Sequence, residues 1–333
     1  MRILWFDEKC RHNRFDDWLH WKFAKYIKKY ADIFFYAPFI HEVEPTFTPI
    51  QYDKSILLQD LVDRLKIDCV IMDTKGAAHH NYLPDSLYYD KHPGHIYWLP
   101  RDFKECKVLK ICIEEDFQYE TTDDWHKEHG FSAILQRHYC QFVREGMNLP
   151  KHFFPFSADP TVFYPRGKER TNKVGFAGTQ GTGNAMQGGS VYIPRETAYE
   201  LLHGKGLLAE RTVPRGIQQI KDMEYVDYLQ KYTAYLSCGS VYHLTPAKMV
   251  EIMSSGGILL TDNEASGLDV MFPEGSYLTY NKDASDIPVK VTRVFSDTPY
   301  REEILKKGLD CVREKHTHDV RIKELFEIIE RYR

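Results

Sequence analysis

Gly239-Ser-Val-Tyr-His-Leu-Thr-Pro-Ala-Lys-Met-Val-Glu-Ile-Met-Ser-Ser-Gly-Gly-Ile-Leu-Leu-Thr-Asp262 is the stretch whose reading decides the fold. Just upstream, Ala234–Ser237 is the short apolar run of a buried strand, and Gly239 to Leu244 leaves its carboxyl end as a loop. Thr245 is a good N-cap and Pro246 suits the first helical position, which predicts a helix over 246–254. Gly256 and Gly257 end that helix. Gly257–Thr261 reads as the next strand and delivers Asp262, Asn263 and Glu264 to the same edge. A helix N-terminus at the carboxyl edge of a parallel strand is a ready anion site. Lys248 lies in the first turn, within reach of that anion, and Glu251, three residues on, shares its face. Taken alone, the two could equally be an ordinary exposed pair worth a few tenths of a kcal/mol.

The same rhythm extends outward. In the first half, Arg2–Phe6, Ile33–Tyr36, Cys69–Met72, Val108–Ile113, Ala133–Leu135 and Phe153–Phe156 read as strands, with helices over 15–30 and 56–65. Short, fully apolar strands alternating with helices predict a parallel sheet covered on both faces. Ser157 to Pro165 carries two prolines and is followed by a polar run from Gly167 to Asn172, a linker composition. Beyond it Lys173–Ala177 is a strand, a glycine-rich loop follows, and helices are expected over 195–202, 225–231, 300–315 and 319–332. The expected architecture is α/β, with two doubly wound domains, 1–165 and 166–316. A closing segment, 317–333, carries the apolar stripe Val320, Leu325, Ile328 and Ile329 and is expected to cross back to the first domain.

Bulk properties bound the function. A length of 333 residues suits two domains. The 43% hydrophobic and 28% charged fractions are those of an ordinary globular protein. The net charge of −4, with neither half clearly basic, weighs against a polyanion-binding domain and so against a nucleic-acid partner. The seven cysteines are scattered without a C-x-x-C pair, which fits reduced thiols and a cytoplasmic location. No signal peptide is expected, and no apolar run approaches the ~20 residues that span a bilayer, so no stable membrane insertion is expected. His79, His80, His92 and His95 form no ligand set of recognised spacing, and no metal is expected.

The 239–262 stretch resembles the donor-binding segment of GT-B glycosyltransferases, and among them the CgeB-like group of the family-4-like retaining class (glycosyl transferases group 1). Lys248, Val250, Glu251, Gly256, Gly257, Leu259, Leu260, Thr261 and Asp262 fit that group's pattern. Pro155 to Pro165 is similar to its interdomain run, Lys173 to Thr179 to the first strand and glycine turn of its donor domain, and His316-Thr-His-Asp-Val-Arg321 to its closing helix. The resemblance covers about 150–330 well and the first 150 residues only in outline. It implies two Rossmann-like domains facing a cleft and transfer of a sugar from a nucleotide-diphosphate donor, UDP- or GDP-linked. It further implies retention of configuration and no metal or other cofactor.

The roles it implies are specific. Glu251 would bind the donor ribose and Lys248 the diphosphate. Gly178, Thr179, Arg195, Tyr242, Leu244 and Thr245 would complete the donor site, with Arg195 chosen as the second cation ahead of Arg211 and Arg215. His243 stands where many retaining members have a glutamate eight residues before the ribose glutamate, which leaves the sugar open. Asp116, in the run Ile113-Glu114-Glu-Asp116 that leaves a strand's carboxyl end, is the candidate to position or deprotonate an acceptor of unread identity: glycan, protein, metabolite or modified nucleobase. Three alternatives stand beside this reading. One is a metal-dependent GT-A transferase using Glu114-Glu-Asp116. The others are a nucleotide-sugar-binding protein without turnover and a sugar epimerase of the same architecture.

Overall fold

The computed structural model describes residues 1–7, 23, 26–37, 48–51, 55–74, 99–114, 123–144, 148–176, 178, 192–209 and 222–333. The chain forms two compact units. The first comprises Met1–Arg137, Gln141–Phe154 and Ile322–Arg333, and the second His138–Cys140 and Pro155–Arg321.

The first unit holds a seven-stranded sheet of β1 (Arg2–Asp7), β2 (Asp32–Ala37), β3 (Thr48–Gln51), β4 (Cys69–Thr74), β5 (Leu109–Glu114), β6 (Ala133–Gln136) and β7 (Lys151–Phe153). The order is β3-β2-β1-β4-β5-β6-β7 and every pairing is parallel. Ile3, Leu4, Trp5 and Phe6 are consecutive and all buried, as a strand covered on both faces requires. Ile3, Trp5, Phe35, Ile71 and Ile113 pack on one face with Ile322, Leu325, Ile328 and Ile329 of the last helix, α10 (His318–Tyr332). Leu4, Phe6, Tyr36, Val70, Met72 and Cys112 pack on the other with Leu58 and Leu61 of α1 (Leu58–Leu65) and with Phe103 and Phe131. Two strand expectations shift. β7 is Lys151–Phe153, because its register against β6 begins at Ile134–Lys151 and Phe154 leaves the sheet after donating to Gln136 O. β3 was not expected, because it contains Pro49. A proline is tolerated there because β3 is an edge strand. The expected helix over 15–30 falls largely outside the described residues.

The second unit holds β8 (Thr171–Gly175), β9 (Tyr232–Leu236), β10 (Ile258–Asp262) and β11 (Leu278–Tyr280), parallel and in the order β11-β10-β9-β8. Between and after them run α4 (Ile193–Gly204), α5 (Asp222–Tyr228), α6 (Ala247–Ser254), α7 (Leu268–Met271), α8 (Ile287–Ser296) and α9 (Thr298–Lys315), with α2 (Asp123–Glu128) and α3 (Tyr139–Phe142) earlier in the chain. Val174, Leu236, Ile258, Leu260 and Tyr280 of the sheet pack against Ala198 and Leu202 of α4 and Val291 and Val294 of α8. The start of α10 is pinned inside this unit. Ala158 and Thr317 form a parallel bridge, and Ser157 Oγ lies 2.8 Å from His318 Nδ1. His316 Nε2 donates to Met271 O at 2.8 Å, while Arg321 Nη2 donates to His316 Nδ1 at 3.2 Å. Both contacts suit a neutral imidazole, and burial, together with Arg321 and Lys315, holds His316 down at about 4. Among the described residues no helix is long and apolar enough to cross a membrane.

Candidate functional site

The loop between β9 and α6 is held from several sides. Asp262, at the end of β10, accepts from Gly239 N at 2.6 Å and from Glu264 N at 3.2 Å. Burial raises the Asp262 carboxyl, and those amides work against the rise. A side chain at Gly239 would come within 2.9 Å of Ala265 Cα and Leu244 O, so the turn admits only glycine. Leu244 N returns to Gly239 O at 2.7 Å. Ser240 and His243 take φ of 60° and 58°, conformations that need outside support. His243 gets it from the loop after β10: its ring nitrogen donates to Glu264 O at 2.9 Å and its carbonyl accepts from Ser266 N at 3.0 Å. The ring itself is exposed, at the rim of the loop, and Tyr242 and Leu244 are half-buried beside it.

The expected cap of α6 is corrected. Pro246, not Thr245, is the N-cap residue, with φ −69° and ψ 156°, and no side chain caps the helix. Thr245 is drawn inward instead: it is fully buried and its N–H points at His138 Nδ1, 3.3 Å away. The extended Pro246 then starts the helix at Ala247, with Met249 N bonding to Pro246 O. The N-terminal amides still lie at the carboxyl end of β9, where the sequence placed them.

Glu251 is not one half of a surface pair. It is 2% exposed and accepts a 2.7 Å hydrogen bond from Tyr225 Oη. Tyr225, on α5, is itself buried and packs edge-on against Phe163 at 6.3 Å. Burial, and next the Glu251 charge, push the Tyr225 hydroxyl well above its ordinary value, so it stays a donor. Arg195, in the first turn of α4, is buried between the rings of Phe176 and Tyr192, with centroid distances of 5.2 and 4.0 Å. It also flanks the glycine turn: a Cβ on Gly178 would meet Arg195 Nη1 at 3.0 Å. Lys248 is half-buried. Burial raises the Cys238 thiol, just past β9, and the positive charges of Arg195 and Lys248 both oppose the rise. Two cations from different helices therefore act on the carboxyl end of one strand.

Gly178, Arg195, Tyr242, His243, Leu244, Thr245, Lys248 and Glu251 thus belong to one unit, around the ends of β8 to β10. Asp116 and Thr179 lie outside the described residues, as do Arg211, Arg215 and the four histidines of the 79–95 stretch. Two residues here had no sequence signal. Tyr225 sits 26 positions from Glu251, and His138 sits 107 from Thr245. Among the described residues, one group of metal-ligating types converges: Cys112, Glu114 and His126 in the first unit.

Residues 199–327 match a protein family described as glycosyl transferase-like. No curated protein matches the sequence. Among solved structures, a sucrose-phosphate synthase from Thermosynechococcus elongatus superposes with a TM-score of 0.64 at 10% identity, covering 99% of this chain and 98% of the other. Anabaena HepE in complex with UDP and glucose gives a TM-score of 0.63 at 10% identity, covering 99% of each chain. An alpha-glucosyltransferase in complex with UDP and a 13-mer DNA containing a HMU base gives 0.61 at 13% identity, again covering 99% of each. The chain therefore has the GT-B fold of two Rossmann-like domains.

Proposed function

We propose that this chain is a glycosyltransferase that takes a sugar from a nucleoside-diphosphate donor, UDP-linked as in the complexes of its structural neighbours. The observation that carries the reading is the buried Glu251 carboxylate, held by Tyr225 of α5 and standing on the helix that also carries Lys248, while Lys248 and Arg195 both act on Cys238 just past β9. A carboxylate accepts two hydrogen bonds from a vicinal diol, which suits the donor ribose. Lys248, Arg195 and the first amides of α6 meet the diphosphate, and Gly178 lets the turn approach it closely. When the bond from the anomeric carbon to the phosphate oxygen breaks, its electron pair leaves with the diphosphate. Those cations and amides stabilise that growing charge. The acceptor oxygen forms the new bond and gives up its proton, for which Asp116 is our candidate base. The loop Tyr242 to Thr245 is assigned to the sugar, with His243 presented at its rim. We further propose retention of configuration and a diphosphate neutralised by protein cations without a metal ion at the donor.

Calorimetry with UDP, GDP and their glucose conjugates tests the donor site, and glucose release or transfer separates an enzyme from a binding protein. Glu251→Ala should lose about ten- to a hundredfold in donor affinity, the weight of about 1.5–3 kcal/mol for a hydrogen bond to a charged group. A folded Glu251→Ala protein that binds UDP as tightly as the parent would remove the ribose assignment.

A further inference from the structure

The geometry points to a zinc site in the first unit, built from Cys112 and Glu114 of β5 and His126 of α2. Cys112 and Glu114 are two residues apart on one strand and so face the same side of the sheet. His126 is laid over that side by α2, its ring 5.7 Å from Phe131. One ligand atom from each of the three lies within 4.8 Å of the other two, and all three residues are buried. His126 Nε2 is 3.0 Å from Glu114 Oε1. In a tetrahedral zinc site with bonds of about 2.0–2.3 Å, neighbouring donor atoms stand roughly 3.3–3.7 Å apart. The group, already within 4.8 Å at every pair, therefore reaches coordination with side-chain adjustment of no more than about 1.5 Å, the carboxylate and imidazole parting slightly.

A second observation points the same way. Glu114 is registered against Gln136 on β6, whose Nε2 donates to Glu114 Oε2 at 2.7 Å. The other end of that amide, Gln136 Oε1, is buried without a hydrogen-bond partner. A buried acceptor left unanswered on the side chain that holds the Glu114 carboxylate is a second sign of a missing species at this place.

Charge and softness select the metal. A thiolate and a carboxylate bring two negative charges into a low-dielectric interior, and a divalent cation cancels them while the imidazole stays neutral. A sulfur ligand disfavours Ca²⁺ and Mg²⁺, whose preferred donors are oxygen. With no metal, the same residues make a buried 3.0 Å Glu114–His126 contact beside a thiol, which leaves Gln136 Oε1 unanswered. The site is closed and buried, so its role is structural: it ties α2 to the carboxyl end of β5. Binding releases the Cys112 proton, plus one from His126 where the imidazole was charged. The inference does not depend on the donor chemistry of the second unit.

The test uses the full chain, stripped with a chelator, dialysed and reloaded with Zn²⁺ or Co²⁺. Elemental analysis should find about one equivalent of zinc retained per chain after dialysis, as one such site holds. The loaded protein should melt at a higher temperature than the stripped protein. Cobalt should give a thiolate charge-transfer band in the near ultraviolet with intense visible bands of tetrahedral geometry. Cys112→Ser should abolish the first, and His126→Gln should weaken both. No metal retained after reloading, or a full thiolate band in folded Cys112→Ser, overturns the site. If neither variant folds, the wild-type spectrum decides: a cobalt complex with no thiolate band overturns the assignment.

Discussion

At the scale of single residues, the contact between Tyr225 and Glu251 has a consequence that separates positioning from binding. The Tyr225 hydroxyl fixes one oxygen of a carboxylate assigned to a diol, so its effect on the nucleotide should pass through the ribose alone. Tyr225→Phe is expected to weaken UDP binding about threefold to tenfold, about 0.5–1.5 kcal/mol, because only the positioning of the Glu251 carboxylate, not its own bonds to the ribose, is lost. It should weaken 2′-deoxy-UDP binding much less, because that ligand has already lost part of the diol. Calorimetry on the two nucleotides gives the comparison. Equal losses for both would mean that Tyr225 only supports the fold. Glu251 could be singled out as a candidate from sequence because Lys248, the paired glycines and Thr261-Asp262 surround it at fixed spacing. Tyr225 was not, since hydrogen bonding across 26 residues leaves no periodicity in a single sequence. The same holds for the Cys112, Glu114 and His126 group, whose members meet only once β5 and α2 are folded.

At the scale of elements, two segments invite measurement. Gly267, with φ 80°, opens α7, and a Cβ there would sit 2.4 Å from Tyr139 Cβ. Gly267→Ala combines a left-handed backbone with an overlap that no rotamer relieves, so a loss of about 2–4 kcal/mol is expected in urea unfolding. An unchanged midpoint would show that Tyr139 can withdraw. The second segment is the pinned junction between α9 and α10. His316 is held near 4, against an ordinary 6.5, chiefly by burial. A histidine depressed in the folded state contributes stability that is complete above about pH 6.5 and is lost as pH falls toward 4, since only the unfolded chain takes up the proton there. The full loss is about 3 kcal/mol. His316→Gln should flatten the dependence of stability on pH between 7 and 4, as read from urea midpoints. Long elements were legible: α9, α10 and the consecutive apolar strands carry their period openly. α8 and β11 were missed. α8 opens on Ile287-Pro288 with four β-branched residues after it, and β11 has only three residues.

At the scale of the whole molecule, the chain returns at its end to the unit with which it began. The last helix starts among second-unit residues, but Ile322, Leu325, Ile328 and Ile329 are buried among Ile3, Trp5, Phe35 and Ile71. Tyr332 Oη meets His152 Nε2 at 2.9 Å, and Arg333 pairs with Asp68 at 3.1 Å, both within the first unit. The stripe Leu325, Ile328 and Ile329 was visible in the sequence, but what it covers depends on tertiary packing. Ending the chain at Arg321 removes four large apolar side chains from that core and keeps the Arg321–His316 bond in the second unit. At about 1.5–3 kcal/mol for each side chain, the loss is of order 6–12 kcal/mol, comparable to the whole stability of a typical domain. The shortened chain should therefore bind a dye for exposed apolar surface and lose the unfolding transition of the first unit. Glu251, Tyr225, Lys248 and Arg195 all lie in the unit left intact, so UDP affinity should change less than twofold, within about 0.4 kcal/mol. On the proposed reading, in which Asp116 of the first unit serves the acceptor, transfer should be abolished. Calorimetry and a transfer assay on the same preparation separate the two. Loss of UDP binding along with transfer would mean that the last helix supports the second unit as much as the first.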